Sequence, residues 1–188
     1  MRKITLLIHV SLDGFVAGTK GEMNWIKMDE ELFDFVGRIV DQADAALYGR
    51  ITYEMMESYW PLIADKPNPS KHDKDHSAWY AKVAKFVLSN SLDEKKLKNT
   101  KIIGSHQIAD IKKIKEGPGG NILMLGSPSV SYTLLKEGLI DSYWIFLNPV
   151  LLGKGIPLFK DIPELIHLKF TESKILTCGV VALQYEKA

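Results

Sequence analysis

Ala45-Ala46-Leu47-Tyr48-Gly49-Arg50-Ile51-Thr52-Tyr53-Glu54-Met55-Met56-Glu57 decides the fold class. The run Ala45 to Tyr48 reads as a short buried strand, Gly49-Arg50 ends it, and a helix opens over Thr52 to Glu57. The same change of period recurs on both sides. Upstream, Ile4 to Ser11 is an apolar strand-like run, and a loop carrying Gly14, Gly18 and Gly21 leads to Trp25. A helix follows over Asp29 to Asp41, with Leu32, Phe33, Phe35, Val36, Ile39 and Val40 at helical spacing and acids in its first turn, where the helix dipole favours them.

Downstream, the prolines Pro61, Pro67 and Pro69 predict an exposed excursion from Ser58 to Asp75, closed by a short helix near Ser77 to Val83. Strand patterns at Phe86 to Leu88, Lys101 to Ile103, Ile122 to Leu125 and Tyr143 to Leu147 enclose helices near Ile108 to Lys115 and Ser129 to Glu137. Leu168 to Ile175 and Val180 to Tyr185 read as an antiparallel hairpin around Thr177-Cys178-Gly179. Repeated strand-helix-strand order implies an α/β protein whose mixed sheet is mostly parallel, with helices on both faces and a C-terminal antiparallel hairpin. No repeat or linker interrupts it, so residues 1–188 are expected to form one domain.

Composition removes several function classes. With 46% apolar residues, the chain buries enough surface to offset its conformational entropy, which excludes a disordered protein. Lys and Arg number 24 against 23 Asp and Glu, a balance without the basic excess that a general nucleic-acid binder needs to displace counterions. No apolar stretch approaches the ~18 residues of a membrane span, and Met1-Arg2-Lys3 runs into a stretch too short for a signal peptide. A lone cysteine, Cys178, cannot form an intramolecular disulfide; a reducing, cytoplasmic setting is expected.

In a parallel sheet, ligands collect beyond the carboxyl ends of the strands, and three such ends carry suitable residues. Gly49-Arg50 allows close backbone approach, opens a helix N-terminus and offers a guanidinium fork suited to phosphate, although a tight turn beside a solvated cation uses the same residues. Gly126-Ser127-Pro128-Ser129 has a plausible cap and a proline at the first helical position, again with or without a ligand. Ser89-Asn90-Ser91 offers short polar groups that turns also favour. His72 and His76 share a helical spacing, but no third ligand stands near, and no metal is expected.

Taken together, these residues resemble the dihydrofolate-reductase-like proteins, and within them the reductase half of the riboflavin-biosynthesis deaminase-reductase, the RibD C-terminal domain. The resemblance is carried by Val10-Ser11-Leu12-Asp13-Gly14-Phe15-Val16-Ala17-Gly18, Gly21-Glu22-Met23-Asn24-Trp25, Tyr48-Gly49-Arg50-Ile51-Thr52-Tyr53-Glu54, Val87-Leu88-Ser89 and Gly138-Leu139-Ile140-Asp141 continuing to Gly153-Lys154-Gly155. It implies a three-layer α/β/α fold and an NADPH-dependent reductase that passes hydride to a C=N or C=O carbon of a small pterin-like, aminopyrimidine or ribosylamino-pyrimidine substrate. The zinc signature of the deaminase half is absent.

By the same resemblance, Gly49, Arg50 and Thr52 hold the adenine end of the cofactor, with Arg50 on the 2′-phosphate. Ser89 and Asn90 lie along the adenosine, and Gly126, Ser127, Pro128, Ser129 and Val130 meet the pyrophosphate. Val10, Val16 and Ala17 frame the nicotinamide. Asp13 and Glu31 are the candidate catalytic acids, and Ser11, Trp25 and His9 the candidate substrate contacts, Trp25 as part of a lid. A homodimer is implied, with no nucleic-acid or membrane partner.

The chain departs from the family pattern at Ser127, which replaces a glycine, at Pro128, which lacks an N–H, and at His9, where a small residue is usual. Glu31 arrives one residue late after Trp25, and stabilisation of a first-turn acid by the helix dipole explains it equally well. The alternative these departures leave is a nucleotide- or heterocycle-binding protein that kept the fold and lost turnover.

Overall fold

A computed structural model describes residues 1–92, 97–162 and 164–188. Its elements are β1 (Ile4–Ser11), β2 (Phe15–Ala17), α1 (Glu30–Val40), β3 (Ala43–Gly49), α2 (Arg50–Ile63), α3 (Lys71–Lys82), β4 (Ala84–Leu88), β5 (Thr100–Ile103), α4 (Gln107–Glu116), β6 (Asn121–Leu125), α5 (Pro128–Lys136), β7 (Ser142–Asn148), β8 (Ile156–Pro157), β9 (Leu168–Ile175) and β10 (Val181–Lys187). Eight strands form one sheet in the order β5-β4-β3-β6-β1-β7-β10-β9. All neighbours from β5 to β7 are parallel, and β10 pairs antiparallel with β7 and β9.

Strand periodicity sends alternate side chains into two cores. On one face Leu7, Ala46, Tyr48, Leu123 and Phe146 pack against Leu32, Phe35, Val36 and Ile39 of α1, Tyr53 of α2 and Tyr80 of α3. On the other, Ile4, Leu6, Ile8, Leu47, Ile122 and Met124 meet Ile111 of α4 and Val130, Leu134 and Leu135 of α5. The result is the expected mostly parallel, three-layer α/β arrangement with its C-terminal hairpin. It also makes β3 and β6 neighbours whose following helices, α2 and α5, leave to opposite faces. In open α/β sheets, ligands collect beyond the carboxyl ends of two such strands.

The expected excursion from Ser58 to Asp75 is mostly helical. Helix α2 runs through Pro61 to Ile63 despite the backbone donor that proline lacks, and Trp60 packs on the core. Helix α3 starts at Lys71 through a capping box in which Ser70 and Asp73 satisfy each other's backbone N–H groups. The glycine-bearing loop after β1 contains a strand, β2, held antiparallel by β8.

His72 and His76 serve packing in this fold. His72 stacks on Phe33 with centroids 4.0 Å apart, and His76 stacks on Trp60 at 3.9 Å. Burial lowers the His76 pKa to about 3. Among the described residues, no three His, Cys, Asp or Glu side chains gather as a metal set.

Two glycines have opposite roles. A Cβ on Gly155 would lie 2.2 Å from the carbonyl oxygen of Ala17, so only glycine lets this loop close on β2; a Cβ on Gly37, in the middle of α1, meets nothing within 4 Å. Gly155→Ala should therefore destabilise the protein by roughly 1–3 kcal/mol or more through overpacking. Gly37→Ala should stabilise it by about 0.5–1 kcal/mol, since helix propensity is then the only change. Urea unfolding of both variants checks the opposite signs.

Candidate active site

The carboxyl ends of the parallel strands bring Ser11, Gly49, Leu88-Ser89, Gly126 and Asn148 to one edge of the sheet. At its centre, Gly49 N–H donates to Ser127 Oγ at 2.8 Å, joining the ends of β3 and β6. Gly126 and Ser127 both adopt the left-handed conformation, at φ of 61° and 62°. For Ser127 this strain is offset by that buried hydrogen bond.

Gly49 has a further constraint. A Cβ there would stand 3.0 Å from Val130 Cγ2 and 3.5 Å from Ser127 Oγ, so its absence lets the first turn of α5 seat against the start of α2. Thr52 closes the group from the other side, its methyl 3.8 Å from the Cβ position of Gly126. Six of the residues expected at a dinucleotide, Gly49, Arg50, Thr52, Gly126, Ser127 and Val130, thus meet or flank one junction.

The helix ends at this junction differ from those elsewhere. Asp29 caps α1 and Ser70 with Asp73 caps α3, whereas α2 and α5 have neither a side-chain cap nor an acid in their first turn. Their leading N–H groups and positive dipole ends face the crevice uncompensated, the electrostatic setting that anions seek. Pro128 gives none of these donors, so on α5 they come from Ser129 and Val130.

Arg50 lies at the first position of α2, with both Glu54 carboxylate oxygens within 3.0 Å of its Nη1. This exposed i,i+4 pair is worth only ~0.3–0.5 kcal/mol, so it holds the guanidinium ready without trapping it. Farther along the edge, Ser89 Oγ accepts the N–H groups of Ser91 and Leu92, each at 3.1 Å, which orders the turn. Asn90 is exposed and lines a cavity of about 390 Å³ with Gly104, Ser105 and His106.

Val10, Val16 and Ala17 are buried where β1 and β2 meet. Ser11 is fully buried, accepts the Phe15 N–H at 2.9 Å and donates to Asp13 at 2.6 Å. Asp13 also accepts the N–H groups of Leu152 at 3.1 Å and Gly153 at 2.7 Å. Ser11's hydrogen bond, followed by those of the Gly153 and Leu152 backbone, lowers its pKa against a smaller opposing effect of desolvation. Its carboxylate ties the turn after β1 to the 151–153 loop.

Glu31 is directed elsewhere. It pairs with Lys174 at 2.7 Å and accepts from the backbone N–H and Oγ of Thr177, so it joins α1 to the β9–β10 hairpin. The Lys174 hydrogen bond is the largest cause of its lowered pKa. Asp29 shares the same threonine at 2.7 Å. Trp25 is half-buried, its Nε1 donating to the carbonyl of Glu22 at 3.0 Å. The structure therefore does not bring Asp13 and Glu31 together.

His9 and Asn148 form a second polar junction, between β1 and β7. Asn148 has no exposed surface and binds the Lys27 N–H through Oδ1 at 2.9 Å, the Phe146 carbonyl through Nδ2 at 2.9 Å and His9 Nδ1 at 3.2 Å. Asn148 is absent from the expected site residues. The available signal is an amide at a strand end, before Pro149, which as readily marks a turn.

A family model of the RibD C-terminal domain matches residues 2–182. The Bacillus subtilis (strain 168) protein YyaP, itself uncharacterized, is 33% identical over 190 residues, covering 98% of this chain and 94% of its own. Among solved structures, a pyrimidine reductase-like protein from Corynebacterium diphtheriae superposes with a TM-score of 0.67 at 16% identity, over 100% of this chain and 92% of that one. Dihydrofolate reductase from Enterococcus faecalis, in complex with NADP(H), gives 0.64 at 13% identity over 98% and 96%. Both share the fold.

Ser127→Ala should cost about 1–3 kcal/mol, because it leaves the Gly49 N–H buried without a partner and keeps the strained backbone. Ser127→Gly should cost about 1 kcal/mol less, since glycine relieves that strain. Chemical denaturation of the two variants tests this order; equal stability of Ser127→Ala and the parent protein would contradict it.

Proposed function

The chain belongs to the RibD C-terminal domain family, and from that premise we propose that it is an NADPH-dependent reductase of a small pterin-like, aminopyrimidine or ribosylamino-pyrimidine substrate. The observation that carries the reading is the pair of acid-free, uncapped helix N-termini diverging from the neighbouring strands β3 and β6. The missing Cβ at Gly49 lets Ser127 and Val130 pack against it, which brings the two helix starts close enough to share one pyrophosphate.

In this reading the N–H groups of Ser129 and Val130 bind one phosphate beside Gly126 and Ser127, and the first turn of α2 binds the other. Thr52, Ser89 and Asn90 border the adenosine. Arg50 exchanges Glu54 for the 2′-phosphate. A charge-assisted phosphate contact of ~1.5–3 kcal/mol exceeds the exposed pair it replaces. Bound NADPH supplies the hydride; the protein supplies position and a dry site. Val10, Val16 and Ala17 frame the nicotinamide, while Asp13 acts through Ser11 and the 151–153 loop to fix the turn beside it. Trp25 covers the substrate side.

We further propose that residues 1–188 work as one reductase domain and pair as a homodimer. Phe170 and Ile175 of β9 and nearby Leu165 are all more than half exposed, an apolar edge suited to a second copy. Sedimentation should give a species of twice 21.2 kDa at micromolar protein; a lone 21.2 kDa species would overturn the dimer.

Arg50→Ala should weaken NADPH binding about tenfold or more while changing NADH binding little, because only the former carries the 2′-phosphate. Fluorescence titration with both cofactors checks it. Equal losses would remove Arg50 from the phosphate.

A further inference from the structure

His9 combines two properties that a packing residue does not. Burial lowers its pKa to about 4, with no charged side chain offsetting the effect, yet the residue is only partly covered. Its Nε2 is neither sealed nor paired among the described residues. The ring is therefore deep, with one nitrogen left without a partner among those residues.

The neighbouring amide fixes which nitrogen is open as a donor. Asn148 Oδ1 accepts the Lys27 N–H at 2.9 Å, so Nδ2 must face the Phe146 carbonyl at 2.9 Å, the Val10 carbonyl at 3.4 Å and His9 Nδ1 at 3.2 Å. A flipped amide would set an N–H against the Lys27 N–H and an oxygen against two carbonyls. A proton on Nδ1 would likewise face the N–H of Asn148. The ring proton therefore sits on Nε2, and the stack on Phe146, with centroids 5.1 Å apart, holds the ring plane.

The strand places this donor next to Val10, which the reductase reading sets beside the nicotinamide. His9 lies on the α1 face of β1, two residues before Ser11, and Leu7 on the same face accepts the Gly126 N–H. We propose that His9 is the electrophile of the hydride-accepting site: a neutral imidazole whose Nε2–H donates a hydrogen bond to the oxygen or nitrogen of the C=O or C=N bond being reduced.

The inference rests on the reductase reading. As the substrate carbon gains hydride from NADPH, a C–H bond forms and the π pair moves to the heteroatom held by Nε2–H, which then takes a proton from water. The cofactor leaves oxidised. A neutral N–H stabilises this growing negative charge without itself ionising. It also selects the substrate, favouring a carbonyl or neutral imine with a free lone pair over a protonated iminium.

Nitrogen-15 NMR of the intact protein tests the proposal without turnover. The expected spectrum shows His9 with Nε2 protonated and Nδ1 bare, unchanged from pH 8 to pH 5.5, and added 5,6-diaminouracil shifts Nε2–H. His9→Phe keeps a stacking ring and should retain NADPH affinity while lowering turnover by at least about tenfold. A proton on Nδ1, a titration midpoint near 6.5, an unmoved His9 signal or full turnover in His9→Phe each overturns it. If the parent protein fails to bind NADPH while 5,6-diaminouracil still moves His9, the reductase reading falls and the donor role stands.

Discussion

The hydrogen bond from Gly49 to Ser127 sits where two neighbouring parallel strands send their helices to opposite faces of the sheet. That divergence is the constraint on which the rest depends. It leaves two helix N-termini side by side with neither a side-chain cap nor a first-turn acid, while α1 and α3 receive their own caps. Water or a bound anion can satisfy them. The bond also explains how a serine occupies a left-handed position normally given to glycine: the strain of about 1–2 kcal/mol is of the same size as the cost of leaving the Gly49 N–H unpaired in the interior.

Around this junction the site divides into parts that bind and parts that brace. Arg50 is held by a weak exposed pair and is free to exchange it. Asp13 and Glu31 are committed, one to the 151–153 loop and the other to Lys174 and Thr177. Each ties two separate segments of the chain together. His9 differs in having one ring nitrogen without a partner among the described residues. Asn148, by holding the other ring nitrogen, decides what His9 can offer.

Much of the architecture was legible in the sequence because each strand announces itself by an apolar run and each helix by spacing: Ala45 to Tyr48 followed by Gly49-Arg50 is enough to place a strand end and a helix start. Boundaries were less legible around Pro61 and Ser70. Proline suggests a break, but α2 continues two residues past it, and the capping box of Ser70 with Asp73 was hidden among charged residues that also suit a loop. The short strand β2 could not be read locally, since its partner Ile156–Pro157 lies about 140 residues away. For the site, residue types predicted position better than use. Nothing in the string Ser11-Leu12-Asp13-Gly14 tells that the carboxylate is spent on a distant backbone loop, and the tautomer of His9 is set by Asn148, which only the pairing of β1 with β7 brings near.

The account stands or falls on what occupies the ends of β3 and β6, and a crystal structure of the protein grown with NADPH measures that directly. The expected map shows the pyrophosphate against the N–H groups of Ser129 and Val130 and the first turn of α2, with the nicotinamide beside Val10 and within reach of a substrate held by His9. A cofactor lying elsewhere on the surface, or a crevice that stays empty at saturating NADPH, would contradict it.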